Sequence, residues 1–509
     1  MKLERSKNAA RNVIFGSITK IYNILVPFLM RTALIYCLGM EYVGLNSLFT
    51  SILSVLNLAE LGVGSALVFS MYKPLAEDDT EKICALMRLY KIYYRIIGLV
   101  ILVVGAAFTP FLPYMVKGDL PPGMNLYVLY YINLLTTVIS YWLFAYKNCL
   151  LNVHQRNDIT DKIGYILNTL KTIIELAILF FVKDYYVYII VALIFGVVNN
   201  VVTAVIVDKL YPQYKAIGKL PKEETQAINR RVRDLFTAKI GGIIGSSADT
   251  VVISAFLGLS QLAIYQNYFY ILNSVLGFVT LITASSRSGI GNSIVTESCG
   301  KNYNDLKKLT FMFAWIGIFC TCCLACLYQP FIELWVGKDN MLSFGMVITF
   351  CIYFFVYEMH SLLCVYKDAS GIWHSDRFRP LITSLSNLVM NLIMVQYWGL
   401  YGVLISTVLS IVVIGMPWII LNLFKTVFKR NPKEYIIRQF LYFLLAVVLT
   451  AICIFVTNYI NFKSLILTII LRLLICVIIP NAVLYILFRK SDEFIQLKGY
   501  IKRLLKKAK

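Results

Sequence analysis

What constrains this chain most is a succession of apolar runs, each about 20 residues or longer. About fourteen can be counted, enough to cross a bilayer that many times as helices. They centre near Leu25, Leu56, Val103, Leu135, Ala177, Phe195, Gly245, Val275, Gly317, Phe354, Asn391, Leu409, Val447 and Ile475. Of all residues, 59% are hydrophobic, well above the roughly half usual in soluble domains. An outer-membrane barrel shows short alternating strands instead of continuous runs, so the fold class is all-α integral membrane. The start, "MKLERSKNAARN", is charged. The run behind it is too long for a signal peptide, and no small-residue cleavage site follows, so the first helix is expected to stay as an anchor.

A net charge of +21 raises the question of nucleic acid. Its placement answers otherwise. Most Lys and Arg fall in the two termini and in alternate loops, whereas the other loops hold only Lys117, Lys183, Lys338 and Lys463. That is the positive-inside pattern, and it predicts both termini in the cytoplasm. Attraction to anionic lipid comes second. In the tail, "FIQLKGYIKRLLKKAK" spaces Phe494, Leu497, Ile501 and Leu505 along one helical face, the pattern of an interfacial amphipathic helix.

The cluster "CTCCLAC" (Cys320, Cys322, Cys323, Cys326) suggests a metal site. No histidine or carboxylate lies nearby to complete one, and buried cysteine behaves as a small hydrophobe, so no metal is expected. No disulfide is expected either, since the outward loops carry no cysteine. The longest loop, about 209–233, holds no separate soluble domain. No Walker-type phosphate loop is present, and "SGIGNS" at 288–293 is too little to stand for one.

The chain repeats itself. "ARNVIFGSITKIYN" from Ala10 aligns with "NRRVRDLFTAKIGG" from Asn229, so that Arg11 meets Arg230, Val13 meets Val232, Lys20 meets Lys239 and Ile21 meets Ile240. At the same step, "CLGMEYVGLNSLFTSIL" from Cys37 meets "FLGLSQLAIYQNYFYIL" from Phe256, and "TPFLPYMVKGD" from Thr109 meets "QPFIELWVGKD" from Gln329. An even number of helices separates the copies, which makes a parallel repeat about an axis along the membrane normal. The expected organisation is two six-helix lobes, 1–215 and 216–430, facing each other across a cavity. Two further helices follow in 431–488, then a basic cytoplasmic tail, 489–509.

A cation at mid-membrane costs about 2.5–3.5 kcal/mol on insertion scales, so such residues face a cavity or a partner. The first helix carries Lys20, Asn23, Pro27 and Arg31 at helical spacing; the seventh carries Lys239, Ser246 and Asp249; the eighth carries Gln266, Tyr270, Asn273, Thr280 and Arg287. Lys20 and Lys239 are repeat mates. The expected substrate-binding residues are Lys20, Asn23, Arg31, Lys239, Asn273 and Arg287. Cations suit an anionic phosphate group, and the amides suit sugar hydroxyls. Arg31 and Arg287 are also close enough to the interfaces to snorkel. Glu60, Lys171, Glu175, Asp249 and Glu358 either balance these charges or bind a coupling ion, H+ or Na+. Lys171 and Glu175, four apart, suit a self-neutralising pair. No organic cofactor is implied. His154 and His374 fall in loops, and His360 is expected to be structural.

The local text resembles a known group. "LGMEYVGLNSLFTSILSVLNLAELGVGSALVFSMYKPLAEDD" (38–79) resembles the first helical junction of Wzx-type oligosaccharide flippases, and "WGLYGVLISTVLS" (398–410) a later one. These belong to the polysaccharide transporter branch of the multidrug/oligosaccharidyl-lipid/polysaccharide flippase superfamily. The resemblance implies alternating-access transfer of undecaprenyl-diphosphate-linked sugar units across the bacterial cytoplasmic membrane. It also implies proton antiport, a cationic lumen, work alongside a polysaccharide polymerase and a chain-length regulator, and no covalent chemistry. Lys20, Arg31, Lys239 and Arg287 are the positions that supply such a lumen here. A drug antiporter of the same superfamily would favour lumenal acids. A membrane polymerase or glycosyltransferase would need larger outward loops.

Overall fold

A bilayer offers the backbone no partner but its own carbonyls, so the apolar runs close into helices. A computed structural model describes residues 2–118, 120–460 and 462–499, without the side chains of 2–18, 238, 239, 246, 284, 285 and 288. All regular structure among the described residues is helical. In chain order come α1 (Lys2–Cys37), α2 (Met40–Leu56), α3 (Val63–Ala76), α4 (Thr80–Phe108), α5 (Leu126–Trp142), α6 (Asn148–Val153), α7 (Asn157–Ala177), α8 (Tyr185–Leu210) and α9 (Lys222–Leu257). They are followed by α10 (Leu259–Thr296), α11 (Cys299–Val336), α12 (Phe344–Ala369), α13 (Arg379–Trp398), α14 (Leu400–Leu409), α15 (Met416–Leu423), α16 (Lys433–Asn458) and α17 (Leu465–Phe488).

Ten spans among the described residues are long and apolar enough to cross a membrane, eleven if the pair Leu126–Trp142 and Ala145–Val153, bent by 47°, is one span. The chain is therefore a multi-pass membrane protein. Four of the counted apolar runs, those of α1, α5, α10 and α13, are not among the ten, and that of α5 belongs to the bent pair. α1 begins among undescribed side chains; in α10, Gln266, Asn267 and Asn273 dilute the run, and in α13, Asn387, Asn391 and Gln396 do the same. One pair of helices at the repeat step matches in length. α1 and α9 each run 36 residues, and each is followed by a glycine in the positive-φ region, Gly39 (φ 126°) and Gly258 (φ 92°). Only glycine reaches that region without strain, so the same sharp reversal recurs at matching places.

The chain divides into two units, Met1–Ala263 and Ile264–Lys509. The division falls inside α10, past the 215/216 boundary read from the repeat, because α9 packs along α2 and α3. In the first unit, α4 pairs with α5 and α7 with α8. α7 shows how the membrane sorts residues. Ile166, Leu170 and Ile173 stand exposed along one stripe, as lipid-facing residues do, while Asn168, Thr172 and Glu175 occupy the opposite side.

In the second unit, α11 is central and packs on α12, α16 and α17. Phe311, Phe313, Leu362, Tyr366, Leu423 and Tyr435 fill its core. Cys322, Cys326, Cys453 and Cys476 are buried there as small apolar groups, with the Cys476 thiol donating to the Cys322 carbonyl at 3.6 Å. The tail departs from a purely lipid-facing helix: Phe494 stacks on Trp315 (5.7 Å between centroids) and Leu497 joins the core margin, because aromatic surface is nearer than lipid. Ile501 and Leu505 lie outside the described residues.

α13 and α14 form a close antiparallel pair. Gly402 faces the Met394 carbonyl so tightly that an added Cβ would overlap it and come within 2.9 Å of the Val395 nitrogen. Gly402→Ala must push backbone apart, so it is expected to cost about 1–3 kcal/mol and lower the thermal midpoint of the purified protein. Gly164→Ala in α7 is the control: its Cβ would meet nothing within 4 Å, so it should hold or raise the midpoint.

Candidate substrate and ion sites

In the first unit, α1 presents Lys20 and Arg31, both half-buried, and Asn23, exposed, on one face. Tyr22 leaves the opposite face and joins α1 to α7: its hydroxyl pairs with Thr169 Oγ1 at 2.9 Å and accepts from Asn168 Nδ2 at 3.1 Å. The Asn168 side of α7 therefore meets the back of α1, away from Lys20. Further along α7, Lys171 Nζ stands 3.9 Å from Glu175 Oε1, with the Glu175 side chain 3% exposed. This is a pair within one helix. The Lys239 and Ser246 side chains lie outside the described residues, and Asp249 is half-buried on α9.

α9 is tied to the first helices at both ends. Towards the basic loops, Lys82 Nζ meets Glu224 Oε1 at 2.8 Å, Arg88 donates to the Gly218 carbonyl at 2.8 Å, and Tyr93 donates to Asn229 at 2.5 Å. Arg231 donates to Ser70 at 3.2 Å and lies over the Phe69 ring. Towards the other end, the Lys117 amide donates to the Ser254 carbonyl at 3.1 Å. There Gly44 of α2 abuts the backbone of Leu259, with a Cβ reaching 2.9 Å from its carbonyl carbon and closer still to its oxygen.

In the second unit, Gln266 and Tyr270 on α10 are half-buried, while Asn273, Thr280 and Arg287 are exposed. Arg287 approaches Asp368 at 3.6 Å, which offsets part of its charge. Glu358 on α12 is fully buried against Gly317 of α11, and neither carboxyl oxygen has a hydrogen-bond partner among the described residues. His360 faces Arg379 Nη1 at 3.4 Å, as a structural histidine does.

Sequence reasoning missed several polar features. Arg379 and Asp376 form a buried bidentate pair (2.7 and 3.0 Å), with Lys367 Nζ 3.6 Å from Asp376. Asn387 donates to Thr407 at 2.9 Å, and Ser406 donates to Asn391, joining α13 to α14. The signal for the second was available: two asparagines four apart in an apolar run, opposite an adjacent Ser-Thr. Tyr268 accepts from the Leu342 amide at 3.0 Å and donates to Gln329 at 2.8 Å, pinning the loop before α12. It was hidden because tyrosine reads as apolar in a membrane sequence.

No protein-family model and no curated relative matches the chain. Solved structures do. A lipid II flippase, MurJ, in an inward closed conformation superposes with a TM-score of 0.70 at 15% identity, covering 94% of this chain and 99% of that one. An inward-facing multidrug resistance transporter of the MATE family in the MOP superfamily gives 0.62 at 14% identity, covering 78% and 93%. A Vibrio cholerae MATE transporter gives 0.53 at 14%, covering 83% and 99%. The chain has the fold of these transporters.

Proposed function

We propose that this chain is a flippase of the Wzx type, carrying undecaprenyl-diphosphate-linked oligosaccharide from the cytoplasmic to the outer leaflet for surface polysaccharide synthesis. One observation carries the reading. The superposition on a lipid-linked flippase runs over 94% of the chain, whereas that on the inward-facing drug transporter leaves about a fifth uncovered. In this reading the chain crosses the bacterial cytoplasmic membrane fourteen times, as two parallel six-helix lobes and a final pair, with both termini inside. It does no covalent chemistry. Lys20, Arg31, Lys239 and Arg287 meet the diphosphate, and Asn23 and Asn273 meet sugar hydroxyls. Asp249 balances charge, and Glu175 balances Lys171. Its working partners are a polysaccharide polymerase and a chain-length regulator.

A drug antiporter of the same fold would offer acids to a cationic guest. Here Glu175 is buried beside Lys171 and Glu358 is fully buried, while Lys20 and Arg31 are half-buried, as are Glu60 and Asp249, and Arg287 is exposed. That disposition favours an anionic guest.

The deciding experiment places purified protein in liposomes and follows translocation of an undecaprenyl-diphosphate oligosaccharide. Transfer above the protein-free rate is expected. Failure with every lipid-linked sugar tried, alongside efflux of cationic dyes, would move the antiporter reading to the front.

A further inference from the structure

α4 presents an apolar stripe, Ile92, Ile96 and Leu99, all exposed as lipid-facing residues are. Beside the stripe run three cations at helical spacing, Arg88, Lys91 and Arg95. Arg88 is committed to the Gly218 carbonyl. Arg95 is exposed and Lys91 half-buried, and neither forms an ion pair among the described residues. The span Thr80–Met115 ends about 20 residues beyond Arg95, which is about 30 Å at the helical rise and about the thickness of the hydrocarbon layer. Arg95 therefore stands at the headgroup level on the basic-loop side, with the stripe running on among the acyl chains. A cation on a lipid-facing helix wall takes its partner from the headgroups.

Next to Arg95 the neighbouring span is bent. Leu126–Trp142 and Ala145–Val153 meet at 47°, and Phe144 between them sits in the left-handed region at φ 58°. That conformation strains a bulky residue, and such strain persists where the surroundings impose it. Here the surroundings are aromatic and charged. The Trp142 indole donates to the Arg95 carbonyl at 3.1 Å. It fills the space left by Gly98, where an added Cβ would overlap the indole nitrogen and come within 2.6 Å of its Cδ1. Lys147 Nζ lies 5.2 Å from the Phe144 ring centroid and pairs with Asp208 of α8 at 2.5 Å. Lys91 Nζ lies 5.8 Å from the Tyr146 ring centroid, and the Arg95 charge reaches the Tyr146 hydroxyl. Asp208 offsets Lys147. Lys91 and Arg95 are left to an anion from outside the chain, with the exposed rings of Trp142 and Phe144 beside them.

We propose that this patch on α4 and the α5 bend binds one anionic phospholipid of the leaflet on the basic-loop side. The phosphate diester accepts from the Arg95 guanidinium, whose two parallel donors match it, and Lys91 adds a point charge. The glycerol rests against Trp142 and Phe144, the level at which interfacial rings belong. The acyl chains follow Ile92, Ile96 and Leu99. Charge selects the lipid: a zwitterionic headgroup would bring its own cation against Lys91 and Arg95. Basic pockets between spans on this side suit anionic headgroups. Simple snorkelling would need only a flexible cation and any headgroup. Here Trp142 pins the Arg95 backbone and Tyr146 supports Lys91, so the two charges are held in place. A lipid bound there bridges α4 and the bend, and so helps to hold the strained turn at Phe144. Nothing in the proposal depends on what the chain transports.

The test is native mass spectrometry of the whole protein, released from micelles that contain phosphatidylglycerol or phosphatidylcholine. Wild type is compared with the double variant Lys91→Gln, Arg95→Gln and with Lys162→Gln, which removes an exposed cation of α7 away from the patch. Wild type is expected to retain phosphatidylglycerol and not phosphatidylcholine. The double variant should bind phosphatidylglycerol about tenfold more weakly or worse, the scale of two cations near a membrane surface, and Lys162→Gln should match wild type. In liposomes, phosphatidylglycerol should raise the thermal midpoint of wild type above its value in phosphatidylcholine, and the double variant should lose that difference. Should the double variant not fold, Arg95→Gln alone decides by the same retention, because its side chain is exposed. Unchanged retention in the variants overturns the proposal. An equal loss in Lys162→Gln overturns it in favour of diffuse surface charge. Displacement of the lipid by glycerol phosphate, which has the charge and no chains, overturns it in favour of a soluble-phosphate site.

Discussion

Replacing Lys20 and Lys239 together by alanine is expected to slow lipid-linked oligosaccharide transfer by about a hundredfold or more, with folding intact. A hydrogen bond to a charged group contributes about 1.5–3 kcal/mol, so each lysine accounts for roughly a tenfold effect or greater, and two independent ones multiply. The loss should appear in the transfer rate and not in lipid partitioning, because the diphosphate gives up water only inside the cavity. Lys20 is half-buried on α1 beside Thr19 and Asn23, so its truncation to alanine, a good helix former, should not unfold α1. Lys463→Ala, in the exposed loop before α17, is the control and should transfer at the wild-type rate. A double variant that keeps the wild-type rate would remove these lysines from the site and leave Arg31 and Arg287 as the remaining cations.

How far the sequence could be read depended on whether a feature is local. Helices follow from apolar length alone, since each run must satisfy its own backbone. One matched place of the repeat is visible in the backbone: Gly39 and Gly258 both turn in the positive-φ region that only glycine reaches cheaply. The Lys171–Glu175 pair was legible because a spacing of four fixes proximity on a helix. Contacts between helices were not. The break at Asn57–Gly62 lies within a run whose hydropathy barely dips, and it is held open by Tyr94 and Tyr141 from α4 and α5. Asn168 donates to Tyr22 on the side of α1 away from Lys20, a contact that no spacing along either helix announces. The Arg379–Asp376 pair read as loop charges, because burial of a loop depends on what folds over it.

Gly44→Val should leave a folded protein that hardly transports. Gly44 lies against the backbone of Leu259, not against a side chain that could swing away. A valine there must hold α2 and the first turn of α10 apart at the end opposite the basic loops. Overpacking of this kind costs about 1–3 kcal/mol, occasionally more. The cost falls only on the conformation in which those two turns touch, so it acts on the conformational equilibrium more than on folding. A shift of about 2 kcal/mol reduces the closed population roughly thirtyfold. Alternating access needs that closure once per cycle, so the transfer rate should fall by a similar factor. Gly44→Ala, with one carbon, should fall between wild type and valine. Water-soluble thiol reagents supply the independent measurement: Cys37, two residues before Gly39, should label faster in Gly44→Val than in wild type. Slow transfer with unchanged Cys37 labelling and a lowered thermal midpoint would mean that the valine destabilises the fold as a whole, and that the Gly44–Leu259 contact is packing and not a gate.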